Sequence, residues 1–197
     1  MRRDESPPTA LGDVKGMFNL FSVVCDLVAF PVMIFSVRWG TWGRRFLASP
    51  ATFGIFWPFV FVTFYGPHPQ LGSVGLFWCA SVAALFVHQI KAARRWRAGE
   101  RPASRYWGES RLQRGGGLDD QRRARERVAG LAFLLGLACA LFWLKPLGTL
   151  IAISAVAKLI SDSLAFDAAE SRLRTMEDAR LENDWYLAEH RRRTAMD

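Results

Sequence analysis

Five apolar stretches, separated by connectors that collect the basic residues, constrain this chain more than any other feature. They cover residues 17–37, 46–65, 71–90, 128–144 and 147–166. The second and third contain no Asp, Glu, Lys or Arg. Each is about 20 residues long, the length at which a helix rising ~1.5 Å per residue crosses the hydrocarbon core of a bilayer. Lipid offers no hydrogen bonds to the backbone, so a chain of this pattern must satisfy its amides within helices.

The charges fall where such a threading needs them. The chain carries 26 Lys and Arg against 18 Asp and Glu, a net charge of +8. Residues 91–127 hold twelve basic and five acidic side chains, whereas residues 162–197 hold six and nine. A nucleic-acid binder has a similar local patch. Here the patch lies between apolar stretches, which points instead to connectors retained on the cytoplasmic face and held against anionic lipid headgroups. Nucleic acid is not an expected partner. A hydrophobic fraction of 51% excludes disorder, and three cysteines are too few for a disulfide scaffold. Cys25, Cys79 and Cys139 all fall inside apolar stretches and match no metal-binding spacing.

The connectors give an order of crossing. Gly66-Pro67-His68-Pro69-Gln70 is a turn without strong charge, so 46–90 is expected to form a helical hairpin with its tip away from the cytoplasm. A kink is expected near Pro58. Residues 128–144 are shorter, about 17, and Pro146 suits the first turn of the helix that follows. The expected fold is an all-α membrane protein with two transmembrane hairpins, 46–90 and 128–166. A polar tail (1–16) and an N-terminal amphipathic or spanning helix (17–37) precede them. A basic cytoplasmic linker (91–127) joins them, and a long cytoplasmic helix (167–197) ends the chain. The first residues do not read as a signal peptide, because Ser6-Pro7-Pro8 breaks any early helix and no convincing cleavage site follows the first apolar stretch.

Three residues that carry charge at neutral pH stand inside apolar stretches. Asp26 falls near the middle of 17–37, in a sector with Asn19, Ser22 and Ser36. An ionised Asp at the bilayer centre costs about 2.5–3.5 kcal/mol on insertion scales. An in-plane position with the polar stripe toward water avoids that cost and is favoured. The other arrangement spans, with the stripe facing neighbouring helices. Lys158 and Asp162 are four residues apart on one helix face and can pair. They read either as an intramembrane ion or proton relay or, preferentially, as a charge pair marking the end of a short span.

The parts outside the apolar stretches hold the candidate contacts. Arg105, Tyr106 and Trp107 read as an interface anchor or a recognition loop. Gly115-Gly116-Gly117 is a joint, since no Lys-Ser/Thr pair follows to make a phosphate loop. Residues 162–193 contain no Gly or Pro and read as one helix, with Glu170–Arg174 and Glu189–Arg193 in the favoured i,i+4 order. Phe166, Ala169, Leu173 and Met176 form a seam on it. Trp185 and Tyr186 are its candidate contacts with a protein partner or a second copy. Ser104-Arg105-Tyr106-x-Gly108, set between two hydrophobic pairs, resembles a segment of a group of uncharacterised bacterial multi-pass membrane proteins. The resemblance implies a general layout and no activity.

Catalytic chemistry has no sequence signature here. His68, His88 and His190 are far apart in the expected threading. There is no zinc pattern, nucleophile elbow or Walker motif. No catalytic, cofactor-binding or metal-binding residue is expected. The expectation is a non-catalytic scaffold or accessory subunit of a bacterial inner-membrane assembly. The source is inferred from a small chain rich in Arg, Ala and Gly. The alternative is a small transporter or channel subunit using Asp26, Lys158 and Asp162. A membrane enzyme using His88 or His68 ranks last.

Overall fold

A computed structural model of the chain describes residues 10–41, 50–100, 110–112, 118–142 and 144–194. The expected contacts Arg105, Tyr106 and Trp107, and the triple glycine, lie outside the described residues. In chain order the elements are α1 (Ala10–Ser36), a 3₁₀ segment (Pro50–Phe56), α2 (Trp57–Tyr65), α3 (Leu71–Arg97), α4 (Leu118–Phe142) and α5 (Lys145–Thr194). Among the described residues there is no β-strand; one isolated antiparallel bridge pairs Val37 with Ser110. Three helical segments are long and apolar enough to cross a bilayer: Gly16–Ser36, Leu71–Arg97 and Lys145–Leu187. That is the make-up of a multi-pass membrane protein.

Two of the expected crossings are shorter than the sequence suggests. The second apolar stretch does not form one long helix. Its described part begins at Pro50 as a 3₁₀ segment, and the apolar helical run Thr52–Tyr65 falls below spanning length. Pro58 sits in the first turn of α2, a position that suits proline, and the backbone changes from 3₁₀ to α there. The fourth stretch belongs to α4, which begins in the basic run at Leu118. Its apolar part rises only ~22 Å against a ~30 Å core, and it is not among the three long apolar segments. The described residues therefore hold three long apolar segments, the third of which runs on from one compact unit of the chain into a second.

α1 differs most from the favoured expectation. Ala29–Ile34 are buried as a continuous run, with Phe30 and Ile34 fully enclosed. They pack with Val37, Ile55, Ala84 and Ala157 in one cluster. Met17, Phe18, Leu20, Phe21 and Val24, by contrast, are 47–73% exposed. The C-terminal part of the polar stripe turns inward: Ser36 is buried and donates to the Met33 carbonyl, and Asp26 is half-buried against Ser161 of α5, whereas Asn19 is exposed. From Asp26 onward this differs from an in-plane helix with its polar face in water. The physical reason is that Asp26 finds a hydroxyl donor on a neighbouring helix. Gly54 in the 3₁₀ segment lets that segment press on α1, because a Cβ there would stand 2.3 Å from the Leu27 carbonyl oxygen.

α4 and α5 form an antiparallel pair joined by a short link. Gly136 and Ala140 on α4 meet Gly148 and Ala152 on α5. A Cβ on Gly136 would lie 2.7 Å from the Ala152 nitrogen, and one on Gly148 would lie 2.2 Å from the Ala140 nitrogen. Small residues four apart on both helices allow the backbones to touch, the device by which helices associate where lipid removes the hydrophobic drive. Helix α3 runs past its apolar part into Ala92–Arg97 and stops before Gly99, as its Gly and Pro signals predict.

The chain divides into two compact units, Met1–Asp162 and Ser163–Asp197, and the boundary falls within α5. In the second unit every residue from 170 to 187 is exposed. Phe166 at the start of the expected seam is buried, whereas Leu173 and Met176 are uncovered.

Candidate functional site

The densest collection of charge in the first unit lies where α1, α4 and α5 meet. On α5, Ser154, Lys158, Ser161 and Asp162 share one face, at the 3–4 residue spacing of a helix, and all are at most 3% exposed. From α4, Arg125 enters the same place at 5% exposure. The Arg125 guanidinium donates to Asp162 Oδ1 at 3.0 Å, and Lys158 Nζ donates to Asp162 Oδ2 at 2.5 Å. Ser161 donates its hydroxyl to Asp26 Oδ1. Two cations thus face two carboxylates. One carboxylate, Asp162, serves both cations, and Asp26 is tied in through a serine. Ser154 Oγ, one turn before Lys158, is fully buried and has no partner.

The sequence singled out Asp26, Lys158 and Asp162, and the structure brings all three together. The i,i+4 pairing of Lys158 with Asp162 is present as read. Sequence reasoning missed Arg125, which stands in a run with Arg122, Arg123 and Arg127 and looks like one topology signal among four. Its helix phase distinguishes it: Arg125, Ala129, Ala132, Gly136 and Ala140 recur at 3–4 residue spacing, so the small-residue face of α4 leads directly to Arg125. On α5, Gly148, Ala152 and Ala155 lead in the same way to Lys158 and Asp162.

The chemistry of the node is that of a buried ion cluster. Both oxygens of Asp162 are occupied. Two apolar recesses open on the same unit. One, of about 370 Å³, is lined by Phe21, Val24, Phe133, Ile153 and Val156; the other, of about 430 Å³, by Val32, Phe35, Phe77, Leu135 and Ile151. Neither is lined by Asp26, Lys158 or Asp162.

The histidines hold the backbone. His88 is fully buried; its Nε2 is 3.0 Å from the Ile34 carbonyl oxygen, and its Nδ1 accepts the Gly40 N–H at 3.3 Å. With Nδ1 accepting, Nε2 carries the proton and the ring is neutral. His68 Nδ1 accepts from Gln70 N–H at 3.2 Å and tightens the turn between α2 and α3. Among the described residues no group of three or more His, Cys, Asp or Glu side chains is arranged to hold a metal ion. Trp185 and Tyr186 are 62% and 59% exposed, edge to face with ring centroids 5.1 Å apart. No family model, curated protein or solved structure matches the chain.

Proposed function

We propose that the chain is a non-catalytic integral membrane scaffold, an accessory subunit of a bacterial inner-membrane assembly. Its C-terminal helix extends into the cytoplasm to receive a protein partner. The observation that carries this reading is the uncovered apolar set on residues 170–187. Leu173, Met176, Leu181, Trp185, Tyr186 and Leu187 are each 50–67% exposed on a helix otherwise rich in charge. Side chains of this size left in water are a standing drive toward a docking surface, and aromatic residues concentrate binding energy at interfaces. The ion node supports the same reading, because it ties three helices together, with one cation on each oxygen of Asp162. The bacterial source is inferred from the small size of the chain and its Arg-, Ala- and Gly-rich composition.

Crosslinking in membranes followed by affinity recovery tests the reading. Full-length protein is expected to recover a partner or a second copy of itself. Deleting residues 163–197, or replacing Leu181, Trp185 and Tyr186 together by Ala, is expected to reduce recovery at least tenfold. Equal recovery by both variants overturns the proposal.

A transporter or channel subunit is the second reading. The buried, unpartnered Ser154 hydroxyl next to Lys158 favours it, since an open polar atom beside charge is a place for a transient ligand. Its signature is ion or solute flux in reconstituted vesicles that falls in Asp26→Asn and Lys158→Met. Unaltered flux in both discards it.

A further inference from the structure

We propose that the recess where α1 and α3 end is a binding site for a phosphate group. Arg38, Trp39, Lys91 and Arg111 line this shallow space of about 370 Å³, and among the described residues no carboxylate lines it. Lys91 Nζ lies 5.0 Å from the Trp39 ring centroid and Arg111 Cζ lies 4.9 Å from it, so the two cations are within about 10 Å of each other. Like charges held this close repel. A doubly or singly charged anion between them removes that repulsion and gains charge-assisted hydrogen bonds. Arginine presents a planar fork of donors and lysine a mobile point charge, the usual pair for phosphate.

The recess is built rather than incidental. Arg111 comes from a segment far along the chain and is fixed by its backbone: its N–H donates to the Ser36 carbonyl at 3.1 Å and its Nε to the Val37 carbonyl at 3.2 Å. The bridge between Val37 and Ser110, the latter 1% exposed, seats the residue just before it. The same guanidinium, its Nε held by Val37, lines the recess with Cζ over the Trp39 ring. Trp39 is positioned from below by His88, edge to face with centroids 6.5 Å apart. Gly40 has φ +87°, and a Cβ there would stand 2.7 Å from Lys91 Cβ. Only glycine lets this turn close on Lys91. The fold therefore brings three cations and an indole from three chain segments to one place.

The location names the sources of phosphate. The apolar segment Gly16–Ser36 ends three residues before Trp39, and Lys91 directly follows the apolar part of Leu71–Arg97. Trp, Lys and Arg at such ends lie at headgroup depth. The phosphate is then that of an anionic phospholipid or a free phosphate ion from the adjoining water. The inference is independent of any partner of the C-terminal helix, and its failure would leave that reading untouched.

The test uses full-length protein purified in detergent and titrated, by native mass spectrometry, with short-chain phosphatidic acid, phosphatidylcholine or inorganic phosphate. Wild-type protein is expected to bind phosphatidic acid at least tenfold more tightly than phosphatidylcholine. The Lys91→Gln/Arg111→Gln variant is expected to lose at least tenfold in that affinity. Arg172→Gln/Arg180→Gln, which removes the same charge from exposed positions in the second unit, is expected to change it less than twofold. Millimolar inorganic phosphate that displaces the lipid identifies a free-phosphate site; lipid retained against it identifies a headgroup site. Both results support the phosphate assignment. Equal binding by wild type and the Lys91/Arg111 variant overturns it, as does an equal loss in the control. Lys91 is exposed, so Lys91→Gln alone carries the test if the double variant does not purify. A threefold or greater loss is then expected, and no loss overturns the proposal.

Discussion

Asp162 holds two buried cations with one carboxylate, and this sharing decides what its loss does. Asp162→Asn leaves Arg125 and Lys158 facing each other with their partner gone. Removing one member of a buried ion cluster costs about 3–5 kcal/mol, because the remaining charge stays desolvated. The expected result is a clear fall in thermal stability in detergent, followed by fluorescence-detected size exclusion. Glu170→Gln, which opens the exposed pair with Arg174, is expected to cost no more than about 0.5 kcal/mol. Replacing Arg125 by Met, Lys158 by Met and Asp162 by Leu together is expected to restore stability to near wild type. Removing all the charges also removes the desolvation penalty. A single substitution as mild as the triple would show that the node does not join the helices.

At the scale of the helix, close approach does what burial of large side chains does in soluble bundles. Gly148 touches Ala140 backbone to backbone, so any side chain there must push α4 and α5 apart. Gly148→Val is expected to destabilise by at least about 1–3 kcal/mol, the usual cost of overpacking, read as loss of monodisperse protein on heating. Gly75 in α3 meets nothing within 4 Å of a built Cβ, so Gly75→Ala is expected to be neutral or to stabilise by up to about 1 kcal/mol through helix propensity. The same contrast explains what was legible in the sequence. The long apolar segments, the turn at Gly66–Gln70 and the stop at Gly99 follow from local rules and are read directly. Asp26, Lys158 and Asp162 stand out because charge inside an apolar stretch is conspicuous. Arg125 does not, because its partner lies 37 residues away and its neighbours share its charge. The approach of Arg111 to Trp39 is invisible for the same reason, being set by a fold-level crossing with no local pattern. The 3₁₀ segment of the second apolar stretch was missed because composition reports burial and not the type of helix.

For the whole molecule the question is where the ion node lies relative to the membrane. The α4–α5 pair is closed at the link between Phe142 and Lys145 and open at the ends that carry Arg125 and Asp162. Asp162 lies 17 residues beyond Lys145, a rise of ~25 Å along α5. If the closed end reaches the outer headgroups, the node stands near the inner face of a ~30 Å core and not at its centre. Arg125, Lys158 and Asp162 are at most 5% exposed, so their cost there is offset by their pairing with one another rather than by water. The other short crossing has a similar reach: seven 3₁₀ residues at ~2.0 Å and nine α residues at ~1.5 Å span ~27 Å if laid end to end. Reporter fusions test this threading. Fusions after residues 68 and 145 are expected to report the periplasmic side, and fusions after 110 and 197 the cytoplasmic side. A cytoplasmic signal at 145 would mean that α4 and α5 do not cross as a pair. The node would then lie in a helical pair resting on the membrane, and the assignment of α5 as a span would fall with it.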